Sequence, residues 1–353
     1  MLQKLQKAWY SNANWVWVLA PLSFLFWILS SLRRSLYTLG ILSSKGANIP
    51  VVVVGNIGLG GNGKTPLVLA LVNDLRAKGY TPAVLSRGYG GTQTQFPYRV
   101  NKEDPAQLVG DEPALIVQRE NTLMVIDPVR ARGVWFIEHN TNANVIICDD
   151  GLQHYAMKRD IELCVLDKRG VGNGYLLPMG PLREGKWRLA KVDAVVHNLG
   201  FTNIRESTNS IQNTSAPEFS MSLQPMRWVN VSSKQNKSLD DFKVVLEEAE
   251  QTGMQIEALA GIGDPKRFFD TLVKMNIKTH RQIGFADHHQ FVASDLSIQN
   301  MVLMTQKDAV KCIEFAHENC WYLEISAHLP DNFFKLIEQG IETKANQLTK
   351  SRA

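Results

Sequence analysis

The chain has 353 residues, 44% of them hydrophobic and 20% charged, with a formal net charge of +4. That length suggests two domains or one large one, and the composition excludes a largely disordered chain, leaving the tail KANQLTKSRA as the stretch expected to lack order. The mild positive balance suits an anionic partner without identifying one, and no nucleic-acid partner is expected. The cysteines, Cys148, Cys164, Cys312 and Cys320, form no CxxC pair. They read as buried thiols in a reducing compartment rather than as disulfides or a zinc site.

Near the N-terminus, residues 14–31 carry no charge and are rich in Trp, Phe and Leu, with Lys4 and Lys7 before them and Arg33 and Arg34 after. A length of ~18 residues is at the lower limit for crossing a bilayer. Pro21 is expected to kink such a helix without forbidding it. The arginines of SSLRRSLY stand where a cleaved signal would need small residues, which argues against export. Residues 1–35 therefore read as an uncleaved anchor helix, with Trp15, Trp17 and Trp27 at interfacial depth. Spanning and shallow insertion both remain open, and a buried core helix is the alternative.

The β-branched run IPVVVVGN reads as a strand buried on both faces. TPLVLALVNDLRAKG has helical spacing and a glycine stop. TPAVLS, TLMVI, ANVIICDD and IELCVLD read as strands, and DEPALIVQRE and RARGVWFIEHN as helices. Alternating strands and helices imply a parallel sheet covered on both faces, with the ligand site beyond the carboxyl ends of the strands. From about Val192 the texture changes. STNSIQNTSAPE is loop-like, and FSMSLQPMRWVNV reads as a long strand or ribbon. IEALAGIGDPKRFFDTLVKM follows as strand, turn and helix, and MVLMTQKDAV and WYLEISA read as strands. The expected division is an anchor at 1–35, an α/β core at 36–191, and a smaller α/β domain with a β-ribbon linker and C-terminal helix at 192–353.

Gly58, Leu59, Gly60, Gly61, Asn62, Gly63, Lys64 and Thr65 match the phosphate-binding pattern G-x-x-x-x-G-K-[ST]. Glycines let backbone N–H groups turn inward around phosphate oxygens, and the helix that follows adds its N-terminal dipole. Pro66 suits the first turn of that helix. Lys64 is placed to reach the β- and γ-phosphates of a nucleotide, and the Thr65 hydroxyl to ligate Mg²⁺. Asp149 and Asp150 end a strand, where P-loop enzymes place an acid toward Mg²⁺. The sequence does not rank them. Asp111 and Glu112 open a helix, either as complements to its dipole or as a base and metal ligand. Arg87 and Arg183 lie among glycines, and Arg130 and Arg132 lie at a helix start, all with forks suited to phosphate. Asp287, His288 and His289 form a further cluster, structural or supporting a base.

Taken in order, the anchor, VVVVGNIGLGGNGKTP, LSRGYGG, VGDEP, CDDGLQHYAMKRDIEL, GNGYLLPMGPLRE, AGIGDPKRFF, FADHH and MTQKDAVKC resemble the tetraacyldisaccharide 4′-kinase family, the lipid A 4′-kinases of Gram-negative bacteria. The likeness covers nearly the whole chain, and the DDGLQH and LPxGPLRE blocks are not general P-loop features. It implies a P-loop-type parallel sheet with helices on both faces, a second α/β domain and a membrane helix. The implied reaction moves the γ-phosphate of ATP to the 4′-hydroxyl of tetraacyldisaccharide 1-phosphate, forming lipid IVA for lipopolysaccharide. The implied location is the cytoplasmic side of the inner membrane, as a monomer. By the same resemblance Lys64 clamps phosphate and Asp111 is the base working with His288. Thr65, Glu112, Asp149 and Asp150 handle Mg²⁺, while Arg130, Arg183 and Glu184 line the cleft. Gln306 stands where the family often has Glu, Gly58 where a hydroxyl residue is common, and Asn62 where Thr is frequent. The alternatives are a membrane-associated P-loop NTPase driving a partner, and a nucleotide-gated adaptor without turnover.

Overall fold

A computed structural model describes residues 2–11, 13–201 and 215–352. The polar stretch at 207–214, read above as loop, lies outside the described residues. In chain order the first elements are α1 (Leu2–Tyr10), a 3-10 turn at Asn14–Leu19, α2 (Ala20–Thr38), β1 (Val51–Gly55), α3 (Lys64–Ala77), β2 (Pro82–Ser86), β3 (Tyr98–Arg99), α4 (Ala106–Val109), α5 (Asp111–Glu120), β4 (Leu123–Ile126), α6 (Arg130–Asn140), β5 (Val145–Asp149), β6 (Ile161–Asp167) and β7 (Ala194–Asn198). The remainder are β8 (Glu218–Asn230), β9 (Asn236–Ser238), α7 (Asp241–Gln251), β10 (Ile256–Ala260), α8 (Lys266–Lys274), β11 (Arg281–Gly284), β12 (Met301–Thr305), α9 (Gln306–Cys312), β13 (Cys320–His328) and α10 (Asp331–Arg352).

The strands form one continuous sheet in the order β11-β10-β12-β13-β8-β7-β6-β1-β5-β2-β4-β3, with β9 paired to β8. From β4 to β8 the neighbours are parallel, and β3 closes that edge antiparallel. From β11 to β13 they are again parallel. The two parallel blocks meet at β8, whose residues Glu218–Met221 pair with β7 while Ser222 to Asn230 pair antiparallel with β13. β7, beyond the expected boundary at 191, pairs in parallel with β6 and so extends the first block.

The consecutive valines of β1 divide between two cores because successive strand residues point to opposite faces. Val52 and Val54 join α3, α5 and α10, and Val51 and Val53 join α6. In the second block Trp228 stacks on Phe242 at 4.5 Å, and Trp321 meets Phe242 edge-on at 5.1 Å.

Three expectations are corrected. The tail is helical to Arg352, because Phe333, Ile337 and Ile341 recur on one face of α10 and bury against the first core. MVLMTQKDAV is not one strand. β12 ends at Thr305, whose side chain accepts from the Asp308 N–H and caps α9. Pro21 does not kink a helix, since it lies in the first turn of α2, where its missing N–H has no partner anyway.

α2 lies on the outside. Phe24, Leu25 and Leu29 are 61, 52 and 58% exposed, and Trp17 in the turn before the helix is 56% exposed. The turn and helix together, Asn14–Thr38, contain an 18-residue window of mean hydropathy 1.8 and are long and apolar enough to cross a membrane. The tether to the first block combines an apolar cluster of Ala8, Val16 and Met179 with polar contacts. Ser23 Oγ donates to the Leu176 carbonyl at 3.0 Å and accepts from Met179 N–H at 2.9 Å.

Candidate active site

The glycine-rich loop leaves β1 at the carboxyl edge of the sheet and delivers α3 at Lys64. Gly63 has φ +85°, and a Cβ there would sit 2.0 Å from Asn198 Nδ2, so only glycine fits. Asn198, at the end of β7, donates to the Asn62 carbonyl at 3.0 Å. Arg169 donates to the Gly61 carbonyl at 3.3 Å and to Asn62 Oδ1 at 3.0 Å. Leu59 N–H donates to the Pro181 carbonyl at 2.9 Å, which sets the GPLRE segment behind the loop. Asn198 and Arg169 were not singled out by the sequence. Their role depends on β6 and β7 lying beside β1, which no local pattern encodes.

β5 pairs directly with β1, Val54 opposite Asp149, and so brings the two aspartates to Lys64. Lys64 Nζ lies 3.4 Å from Asp150 Oδ1. Arg183 forks onto the same carboxylate at 3.0 and 3.1 Å. Burial pushes the Asp150 carboxyl up, but the Lys64 and Arg183 cations outweigh it and hold it well below the usual range. Asp149 is different. It is buried, its Oδ1 has no hydrogen-bond partner, and burial together with the negative charge of Glu112 raises it to about 7. Arg130 is placed behind this pair rather than on the open cleft. It is 2% exposed, and its guanidinium donates to the carbonyls of Asp127 at 2.7 Å and Asp149 at 3.1 Å. Glu184 is buried and accepts from Tyr155 Oη and from Gln153 Nε2. Arg87 is exposed, and Arg132 forks onto Asp127 at 2.8 and 2.9 Å.

Asp111 is the first residue of α5, presented by Gly110 at φ +96°, where a Cβ would come within 2.6 Å of the Tyr89 carbonyl. His288 arrives from the loop after β11, with its own φ at +59° and its ring 5.4 Å from that of Tyr89. Its Nδ1 lies 3.0 Å from Asp111 Oδ2. Burial pushes Asp111 up, but the His288 hydrogen bond and the charges of Lys311 and Lys307 prevail and keep the carboxyl below its ordinary value. The neighbouring His289 turns away, 3.0 Å from Asp295 Oδ2 and stacked on Phe285. The histidine and aspartate expected to cooperate are therefore brought together by opposite blocks of the sheet.

α9 supplies what the sequence left out. Lys307 Nζ lies 3.8 Å from Glu112 Oε1 and 3.5 Å from Asp287 Oδ1. Lys311 Nζ lies 3.0 Å from Asp308 Oδ1 and 3.9 Å from Asp111 Oδ2. The signal was the block MTQKDAVKC, noted as a motif but given no role. A cavity of about 230 Å³ opens between the two blocks, lined by Gly61 to Thr65 on one side and by Gly263, Asp287 and Lys307 on the other. Among the described residues no three His, Cys, Asp or Glu side chains are grouped to hold a metal by themselves.

A family model described as LpxK, tetraacyldisaccharide-1-P 4′-kinase, matches residues 15–342. The tetraacyldisaccharide 4′-kinase of Tolumonas auensis is 44% identical over 93% of this chain and 94% of its own length. That of Pseudoalteromonas atlantica is 46% identical over 89% and 96%. A crystal structure of LpxK from Aquifex aeolicus in complex with ATP superposes with a TM-score of 0.77 at 28% identity, covering 92% of this chain and 99% of that one. The likeness runs through phosphate loop, acids and second block alike, and the chain belongs to the tetraacyldisaccharide-1-P 4′-kinase family.

Proposed function

We propose that the residues gathered at the cleft carry out the family reaction in the following way. The chain is an ATP-dependent kinase acting on the lipid A disaccharide precursor. ATP rests its phosphates on residues 58–65, and Lys64 leaves Asp150 for the phosphate oxygens. Asp111 accepts the proton of the 4′-hydroxyl as that oxygen bonds to the γ-phosphorus and the bond to the bridging oxygen of ADP breaks. His288 holds Asp111 ionised and aimed. The observation that carries the reading is their 3.0 Å contact, made between α5 and the loop after β11, each next to a residue that lines the cavity beside the phosphate loop, Glu112 and Asp287. Most of the rate gain comes from positioning and charge neutralisation.

Mg²⁺ fits this donor set. Asp149 carries a buried oxygen without a partner and is raised to about 7, a carboxylate that a cation would relieve, whereas both Asp150 oxygens already face cations. Thr65, Glu112 and Asp149 would hold the ion with Asp150 beside them. One or two carboxylates suffice when the nucleotide supplies further oxygens. Bound there, the ion neutralises charge on the β- and γ-oxygens.

The exposed apolar face of α2 supports membrane attachment of residues 1–35, on the cytoplasmic side where ATP is available. The chain acts as a monomer there, with the two blocks of the sheet closing over the nucleotide. Purified protein in detergent micelles with Mg²⁺, γ-labelled ATP and tetraacyldisaccharide 1-phosphate should label the lipid. Lys64→Ala should abolish labelling. Asp111→Asn should lower turnover by ~10²–10⁴-fold while ADP still binds. Acceptor-independent phosphate release at the rate of transfer would instead favour an NTPase, and near-normal turnover by Asp111→Asn would remove the base assignment.

A further inference from the structure

Phosphoryl transfer places developing charge on the equatorial oxygens of the γ-phosphate, and P-loop enzymes commonly meet it with a cation brought from outside the loop. Here the phosphate loop contributes Lys64, and Arg183 is committed to Asp150 from below. The opposite wall of the same cavity comes from the other block and carries two cations, Arg267 and Lys307. Arg267 is committed to Asp167 at 2.7 Å and to Asp264 at 3.2 Å, which leaves Lys307 as the more loosely held. The fold sets its place. Thr305 caps α9 at the end of β12, so Lys307 projects from the first turn, directly beyond the strand's carboxyl end.

Its present partners are loose. Glu112 at 3.8 Å and Asp287 at 3.5 Å are at the outer limit of ion pairing, and the side chain is only 20% exposed. Burial lowers the Lys307 ammonium, but the charges of Glu112, Asp287 and Asp111 more than compensate, so it remains charged. An ammonium carries three N–H donors, and of the two acids Asp287 alone accepts from it, in a long hydrogen bond of 3.5 Å, while Glu112 stands at 3.8 Å. Glu112 is moreover one of the acids placed to hold Mg²⁺. With Glu112 engaged by a bound ion, Asp287 would remain as the nearest counter-charge of Lys307, and the ammonium would be free to meet a triphosphate in the cavity.

We propose that Lys307 is a further catalytic residue, a cation supplied by the second block that contacts the transferring γ-phosphate and stabilises its charge in the transition state. It takes no proton and forms no covalent bond. Its contribution is electrostatic and exists only when the two blocks enclose the nucleotide. The proposal rests on the phosphoryl-transfer reading above. It is distinct from the roles of Lys64, which binds nucleotide in the ground state, and Lys311, which is buried between Asp308 and Asp111.

The test compares wild type, Lys307→Met and Lys307→Arg. Lys307→Met should lower kcat by ~10²–10³-fold with KM for ATP changed only several-fold. Its affinity for ADP, by calorimetry, should stay within about threefold of wild type, whereas affinity for ADP with aluminium fluoride should fall with kcat. Lys307→Arg should recover much of both. The proposal is overturned if Lys307→Met keeps kcat within about threefold. It is equally overturned if ADP affinity and melting temperature fall together with kcat, since the lysine would then merely hold the blocks together. Failure of the phosphoryl-transfer reading is separable, because wild type itself would then leave the lipid unlabelled.

Discussion

Arg130 and His154 illustrate how much of this cleft depends on groups that never meet the nucleotide. Arg130 spends its guanidinium on two buried carbonyls, one belonging to Asp149. Removing it leaves those acceptors unpaired, which costs ~1–3 kcal/mol each in desolvation. Arg130→Met should therefore lower unfolding free energy by about that amount, read by urea titration, with a smaller change in KM for ATP. A large KM effect at unchanged stability would restore Arg130 to the nucleotide. His154 of the DDGLQH block is lowered from its ordinary 6.5 to about 4, first by burial and then by the charges of Arg130, Arg87 and Arg33 against an opposing Asp150. The unfolded chain takes up this proton near 6.5 and the folded chain only near 4. Stability from neutral His154 is thus complete above pH 6.5 and falls as pH drops toward 4. The loss is on the order of 1–2 kcal/mol after allowing for partial exposure. Wild type should lose more stability than His154→Gln between pH 7 and 4.5, and parallel curves would exclude the effect.

At the level of elements, local patterning was the legible part. DEPALIVQRE and RARGVWFIEHN match α5 and α6 residue for residue, because Gly110 stands just before the first, Pro128 two residues before the second, and apolar residues recur through both. The phosphate loop was equally readable, since its glycines answer a backbone requirement within a few residues. α7 escaped, its polar face masking the burial of Phe242 and Ala249. The C-terminal helix was expected, but its continuation through the tail escaped, because the core it packs on is built from distant segments such as those of Ile161 and Phe219. Within the site, Asp111, His288 and Lys64 each carried a motif with a role, Lys307 lay in the MTQKDAVKC block without one, and Asn198 and Arg169 matter only through neighbours that pairing brings. α2 was read from composition, and its exposed face makes a specific prediction. Phe24→Ser, Leu25→Ser and Leu29→Ser combined should weaken binding to phospholipid vesicles by ~100-fold or more. The change should leave melting temperature and transfer to detergent-dispersed acceptor near wild type, because these side chains are more than half exposed and belong to neither core of the sheet. Unchanged vesicle binding would assign attachment elsewhere.

At the scale of the whole molecule, the two blocks are not beads on a linker but two halves of one sheet sharing β8. Its first residues face β7 and its last face β13, with a register shift opposite at Glu324/Ile325. A strand alternates its faces residue by residue, so β8 carries a parity from one half to the other. Asp111 is built on the β7 side of that strand and His288 on the β13 side. One residue inserted near Ser222 would leave each half free to fold on its own core yet turn one over relative to the other. Two residues would restore the faces and displace the halves by about 6.6 Å along the strand. Neither keeps a 3.0 Å contact. The strand thus serves as the molecule's ruler. It tolerates exchange of side chains but not of length, and the spacing of the chemistry is measured along a segment that takes no part in it.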